Sequence, residues 1–366
     1  MEWGIKLWLY VCMIAKNYNE TNFITGLRGI AAFMVFFIHS GGGGIRNISG
    51  YFNDLVDIGK YGVSIFFVIS GFTIFYQIFN ANYKFVSFLS LRILRIGLAY
   101  YPILLSVFFL AYFDIYNLTS SYWLTETNSK IDLINLFMHL SFLGMFDIKF
   151  ANNILGVEWS LYVEVFFYII MGCFLTRKTK KYIWLCAVIC MLFSGLFILF
   201  RLMHITSNLQ FVFFPFIYGP LFLLGGLAFH VKYNVKLNIN KKKYSDASIM
   251  LFLACILITP FIKQYLLVSI LFGVATFLVI AFGCDSKLIN LLLNNKFFSS
   301  IGKISFSFYL IHCLIIQIVS AYIPFGYELF IVSFVMTMLF STVYASYFEY
   351  KLYIKLKDSI RRFNYA

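Results

Sequence analysis

The first long apolar stretch, LRGIAAFMVFFIHS, holds two ionisable residues, Arg28 and His39, eleven positions apart. At about 100° per residue, that spacing returns to within about 20° of its starting direction, so both side chains share one helix face about 16 Å apart along its axis. An imidazole is a proton acceptor near neutral pH, and a guanidinium is a fixed cation that binds phosphate or carboxylate. Ionisable groups at membrane depth mark polar pathways or reaction sites more often than they decorate structure. Arg28 alone would also be explained by snorkelling to the headgroups.

Three further clusters have the same character. Arg92 and Arg95, in SLRILRIGLAYYP, are an i, i+3 pair on one helix face, suited to a phosphate-bearing ligand or to ordinary charge anchoring. Ser160 and Glu164, in GVEWSLYVEVFFYII, are four apart, with Glu164 well inside an apolar run and Glu158 expected just outside it. Ser305, Tyr309 and His312, in SSIGKISFSFYLIHCL, fall at i, i+4, i+7 on one stripe, with Ser307 beside them. His139, His204 and His230 lie near expected membrane edges and are read as structural.

These groups together suit transfer of an acyl group. Arginines at one end would hold a phosphate-rich head, and a thin arm would bring a thioester to His39, the base for an attacking hydroxyl. Tyr309 or a backbone N–H would meet the oxyanion. Acyl-coenzyme A has that shape. No GxSxG motif is present, so direct transfer is expected rather than a serine-bound intermediate.

The elements that position these residues must be membrane helices. Hydrophobic residues make up 61% of the 366 positions and charged residues only 12%, too few to coat a soluble domain of this size. Apolar segments run at 25–44, 59–79, 96–116, 131–147, 154–175, 182–203, 209–231, 247–263, 265–283, 304–323 and 329–348. If all eleven crossed, the cluster Arg177, Lys178, Lys180 and Lys181 would face away from Arg92 and Arg95.

Segment 131–147 is short, holds His139 and is flanked by Asp132 and Asp147; as a re-entrant or interfacial helix it leaves about ten spans with both termini cytoplasmic. Twenty-two lysines and arginines then lie inside, five outside and two, Arg28 and Arg201, within spans. The expected fold class is all-α: a polytopic transmembrane helical bundle over 23–349. An interfacial or cytoplasmic segment precedes it at 1–22, and a basic cytoplasmic tail follows at 350–366.

The net charge of +14 is spread through these loops, which argues against nucleic-acid binding. Seven cysteines without a CxxC pair predict buried thiols, with no disulfide framework and no metal site.

Five blocks in order, LRGIAAFMVFFIH, GVSIFFVISGF, LRILR, EWSLYVEVFFY and SFSFYLIH, resemble the acyltransferase-3 family of bacterial integral-membrane O-acyltransferases. The resemblance implies transfer of an acyl group, commonly acetyl from acetyl-CoA as a co-substrate rather than a bound cofactor, to a glycan hydroxyl at the inner membrane. It implies a catalytic His39 supported by Arg28, and Arg92 and Arg95 in contact with the donor. Glu164 matches the acidic position of the family's WSL block. By analogy the acceptor is a lipid-linked or nascent polysaccharide such as O-antigen. With about seventeen residues after the last apolar segment, no appended hydrolase-like domain is expected. A secondary transporter or flippase for a glycan precursor is the competing reading, and paired repeats of broken helices would favour it.

Overall fold

The computed structural model describes residues 22–80, 85–113, 131–147, 150–174, 183–202, 214–235 and 240–357. Most of the N-terminal segment, the Arg177–Lys181 cluster and the end of the basic tail lie outside these residues. The described chain is helical without strands.

Its helices are α1 (Asn22–His39), α2 (Gly50–Asp57), α3 (Gly62–Asn80), α4 (Phe85–Tyr112), α5 (Leu133–Leu140), α6 (Trp159–Gly172) and α7 (Ile183–Leu202). They continue with α8 (Gly219–Asn234), α9 (Lys241–Ile258), α10 (Tyr265–Phe282), α11 (Lys287–Leu292), α12 (Lys296–Lys303), α13 (Ser305–Ser320) and α14 (Tyr327–Tyr344). Each apolar segment read from the sequence holds a helix.

Among the described residues, seven helical stretches are long and apolar enough to cross a membrane. An eighth forms if α12 and α13, bent by 84°, are one broken span. This is fewer than the ten expected. The difference lies in α6 and in the apolar part of α7, Val188–Phe200, both shorter than a full crossing.

The shortening of α6 has a local cause. Glu158 is fully buried, not outside the apolar run as expected, and its carboxylate accepts the N–H groups of Ile154, Leu155 and Val157 at 2.8–3.1 Å. These bonds stabilise a non-helical turn in which Gly156 takes a left-handed φ of 80°, and α6 starts only at Trp159. The same carboxylate pairs with His139 Nε2 at 3.0 Å, tying α5 to the start of α6. Helix α5 has eight residues, about 12 Å, so segment 131–147 is too short to cross, as charge parity required.

Two other boundaries move. Helix α4 begins at Phe85 rather than near 96, which places Arg92 and Arg95 two turns or more inside it. The last helix continues past residue 348 through a π-helical stretch, Ala345–Leu352, so the helical run extends to Lys357.

Without water to drive apolar association, helices in lipid hold together by close packing. Leu27, Phe36, Tyr100, Phe167, Phe222 and Phe308 are among the wholly buried side chains, while Leu192, Leu257 and Val343 remain exposed on the outer face. The tightest approach is α1 against α12. A Cβ on Gly29 would lie 2.0 Å from the carbonyl oxygen of Phe298, and one on Gly302 would lie 1.8 Å from that of Thr25. These obstacles are backbone atoms and cannot swing away. Gly29→Ala is expected to cost about 1–3 kcal/mol, read as a lower unfolding midpoint in detergent, with a greater loss for Gly29→Leu.

Beyond His39, the chain reverses through four consecutive left-handed glycines, Gly41 to Gly44, with φ of 69°, 66°, 64° and 87°. A side chain at any of these positions would be strained. This run lets α1 stop at the histidine.

Candidate functional site

Helices α1, α3, α4, α6 and α13 converge on one cavity. Arg28 comes from α1, Ser70 and Thr73 from α3, and Arg92 and Arg95 from α4; Ser160, Glu164 and Tyr168 come from α6, and Ser305 and Tyr309 from α13. Three guanidiniums thus face one carboxylate, and the cavity carries an excess of positive charge.

The arginines are not equivalent. Arg92 is buried, donates through Nε and Nη2 to Gln77 Oε1 at 3.1 and 2.7 Å and through Nη1 to the Tyr168 hydroxyl at 3.3 Å, and lies with its guanidinium carbon 4.8 Å from the Tyr168 ring centre. Tyr168 in turn donates to Glu164 Oε1 at 2.5 Å, and Ser70 donates to the same oxygen at 2.7 Å. Arg92 is therefore committed to the protein.

Arg28 and Arg95 make no hydrogen bond or ion pair with a described residue. They repel one another, and Glu349 and Glu164 attract both from a distance. Ser305 Oγ, wholly buried on the cavity wall, also has no hydrogen-bond partner among the described residues. It is the first residue of α13, at the positive end of that helix's dipole. Two uncommitted guanidiniums and an unpartnered hydroxyl make a site for an anionic ligand.

Ser160 and Tyr309 close the other side of the cavity. Their hydroxyls lie 2.9 Å apart, and both reach the Val157 carbonyl oxygen at 3.1 Å. That carbonyl is held in place by the Glu158 carboxylate, which binds the N–H of the same residue.

His39 and His312 do not line the cavity but meet one another beside it. His39 Nδ1 is 2.8 Å from His312 Nε2, and His312 Nδ1 is 2.7 Å from the backbone oxygen of Tyr309. This chain assigns the tautomers. A carbonyl oxygen only accepts, so His312 carries its proton on Nδ1 and its Nε2 accepts from His39 Nδ1–H. His39 Nε2 is left with its lone pair, the form a general base requires. His312 is wholly buried, while His39 keeps part of its surface accessible.

The structure thus gathers seven of the nine sequence-selected residues, Arg28, Arg92, Arg95, Ser160, Glu164, Ser305 and Tyr309, around one cavity, and sets His39 and His312 together at its side. Arg28, three turns from His39, joins the arginine group. Sequence reading placed Glu158 outside the apolar run and missed the supporting residues Gln77, Tyr168 and Glu349. Of these, Tyr168 alone had a local signal, its i+4 spacing from Glu164. Glu349, on the π-helical stretch, accepts from the N–H and hydroxyl of Ser307, satisfying a donor in the first turn of α13.

Fold and site together define a polytopic helical membrane protein with a basic internal cavity and a histidine relay next to it. A family model described as an acyltransferase domain matches residues 21–347, nearly the whole chain. The chain belongs to the acyltransferase-3 family and is a membrane acyltransferase. No curated protein and no solved structure matches it.

Proposed function

We propose that this protein moves an acyl group, acetyl in the first instance, from cytosolic acyl-CoA to a hydroxyl of a cell-surface glycan such as O-antigen or exopolysaccharide. It would act in the bacterial inner membrane with both termini cytoplasmic. The observation that carries this reading is the hydrogen-bonded chain Tyr309 O···His312···His39, which leaves His39 Nε2 as a base next to a cavity with two uncommitted arginines.

Acyl-CoA brings several phosphate charges on one end and a thioester on the other. Arg28 and Arg95 bind phosphate oxygens, with Ser305 donating a hydroxyl hydrogen bond. The acceptor hydroxyl gives its proton to His39 Nε2 as its oxygen attacks the thioester carbonyl carbon. Imidazolium charge on His39 is shared through Nδ1–H with His312 Nε2. The oxyanion takes a hydrogen bond from Tyr309 or Ser160, one of whose hydroxyl protons turns away from the Val157 carbonyl. Collapse breaks the carbon–sulfur bond, and the departing CoA thiolate recovers the proton from His39. The products are a glycan ester and free CoA, with His39 neutral again.

Mass spectrometry of surface glycans from cells with and without the gene tests this directly. Loss of one acyl increment, restored by the wild-type gene and not by His39→Asn, is the expected result. Identical glycan masses with and without a well-expressed protein would overturn the reading.

A further inference from the structure

One contact near the relay plays no part in acyl transfer. Cys313, buried and next in sequence to His312, places its Sγ 3.4 Å from His312 Nε2 and 3.7 Å from His39 Nδ1. With the histidine pair at 2.8 Å, two nitrogens and a sulfur form a small closed triangle, all three atoms within 4.8 Å of one another.

The geometry points to a zinc site made by His39, His312 and Cys313, at which the metal switches acyl transfer off. Zinc bonds of about 2.0–2.1 Å to nitrogen and 2.3 Å to sulfur give a tetrahedron edges of about 3.3–3.6 Å. Both sulfur contacts are already close to those edges; the nitrogen pair needs to open by about 0.5 Å, and the two rings, now head-on with centres 5.0 Å apart, need to tilt so that both lone pairs converge. The ligand set suits a borderline-soft divalent ion far better than magnesium or calcium. One supporting bond is already present: His312 Nδ1–H on the Tyr309 carbonyl fixes that ring with Nε2 facing the metal position. The fourth position is left for water.

The consequence for activity rests on the reading of His39 as the base. Zinc on His39 Nδ1 takes the lone pair of the nitrogen that now carries the proton. The ring stays neutral, so its proton moves to Nε2, and the atom that would accept the sugar proton becomes an N–H. His312 keeps its Nδ1 proton and binds through Nε2. Cys313 binds as thiolate and releases one proton to solvent. Nothing is oxidised or reduced.

The test uses the full chain purified in detergent, with cobalt(II) as a spectroscopic probe and zinc as the competing ion. The expected result is one cobalt with tetrahedral bands and a thiolate-to-cobalt charge-transfer absorption, displaced by stoichiometric zinc. In Cys313→Ala, and in Cys313→Ser should the alanine variant fold poorly, the charge-transfer band disappears and zinc binds at least tenfold more weakly. Zinc suppresses wild-type acyl transfer about 10²–10⁴-fold, the range supplied by a general base. A chelator restores it, and each cysteine variant, compared with its own zinc-free rate, resists suppression. No bound cobalt, no thiolate band, or a band that survives both cysteine substitutions would overturn the site. Zinc bound through Cys313 with transfer undiminished would instead contradict His39 as the base and leave the site standing.

Discussion

His39→Ala is expected to abolish measurable acyl transfer, lowering kcat by about 10²–10⁴-fold, the contribution of a positioned general base. The substitution also removes the Nδ1–H donor, leaving His312 Nε2 buried without its strongest partner, at a cost of about 1–3 kcal/mol. Loss of activity in the alanine variant therefore mixes chemistry with stability. His39→Asn separates them. The asparagine amide reaches nearly the position of Nδ1 and donates to His312, but it carries no basic nitrogen. The expected outcome is near-wild-type unfolding in detergent with activity as low as in the alanine variant. Substantial transfer by a folded His39→Asn protein would remove the base from the mechanism.

The second large effect concerns the arginines, which the structure divides in a way their i, i+3 spacing does not. Arg95, uncommitted and lining the cavity, is expected to act on donor binding. A charge-assisted hydrogen bond contributes about 1.5–3 kcal/mol, and each 1.4 kcal/mol is tenfold. Arg95→Ala should raise the KM for acyl-CoA about 10- to 150-fold, with kcat at saturation little changed. Arg28→Ala should behave alike. S-acetylpantetheine, which lacks the phosphorylated nucleotide, should be used equally well by wild type and Arg95→Ala. Arg92→Ala should differ in kind: it leaves Gln77 and Tyr168 without their partner and loosens the Tyr168–Glu164 contact, so its primary loss is in stability. Equal KM effects for all three arginines, with unchanged melting, would contradict this division.

Local periodicity explains what was readable beforehand. A helix repeats every 3.6 residues, so the sequence alone places Arg28 with His39 on one face, and Ser305, Tyr309 and His312 on one stripe. Hydrophobicity and charge parity found the helical segments and singled out 131–147 as one that does not cross. What was not readable is pairing across the fold. The partner of His39 lies 273 residues away, and the carbonyl that fixes both imidazoles is a backbone atom of α13, whose role no residue type announces.

Glu158 was expected outside the apolar run because a lone carboxylate is costly in it. Three backbone N–H groups and His139 instead satisfy it fully, in the turn that precedes α6. Arg92 and Arg95 look alike in sequence because nothing there reveals that Gln77, fifteen residues earlier and on another helix, takes the first and leaves the second. The triangle of His39, His312 and Cys313 escapes any spacing rule for metal ligands for the same reason.

The most direct measurement uses the purified full chain in proteoliposomes, supplied with isotopically labelled acetyl-CoA and a lipid-linked glycan acceptor, with the products resolved by mass spectrometry. The expected result is labelled acetyl ester on the glycan and an equal amount of free CoA with wild-type protein, and neither above background with His39→Asn. Glycan left unlabelled by folded wild-type protein with every tested acceptor and acyl-CoA, or labelled equally by the asparagine variant, would contradict an acyltransferase working through His39.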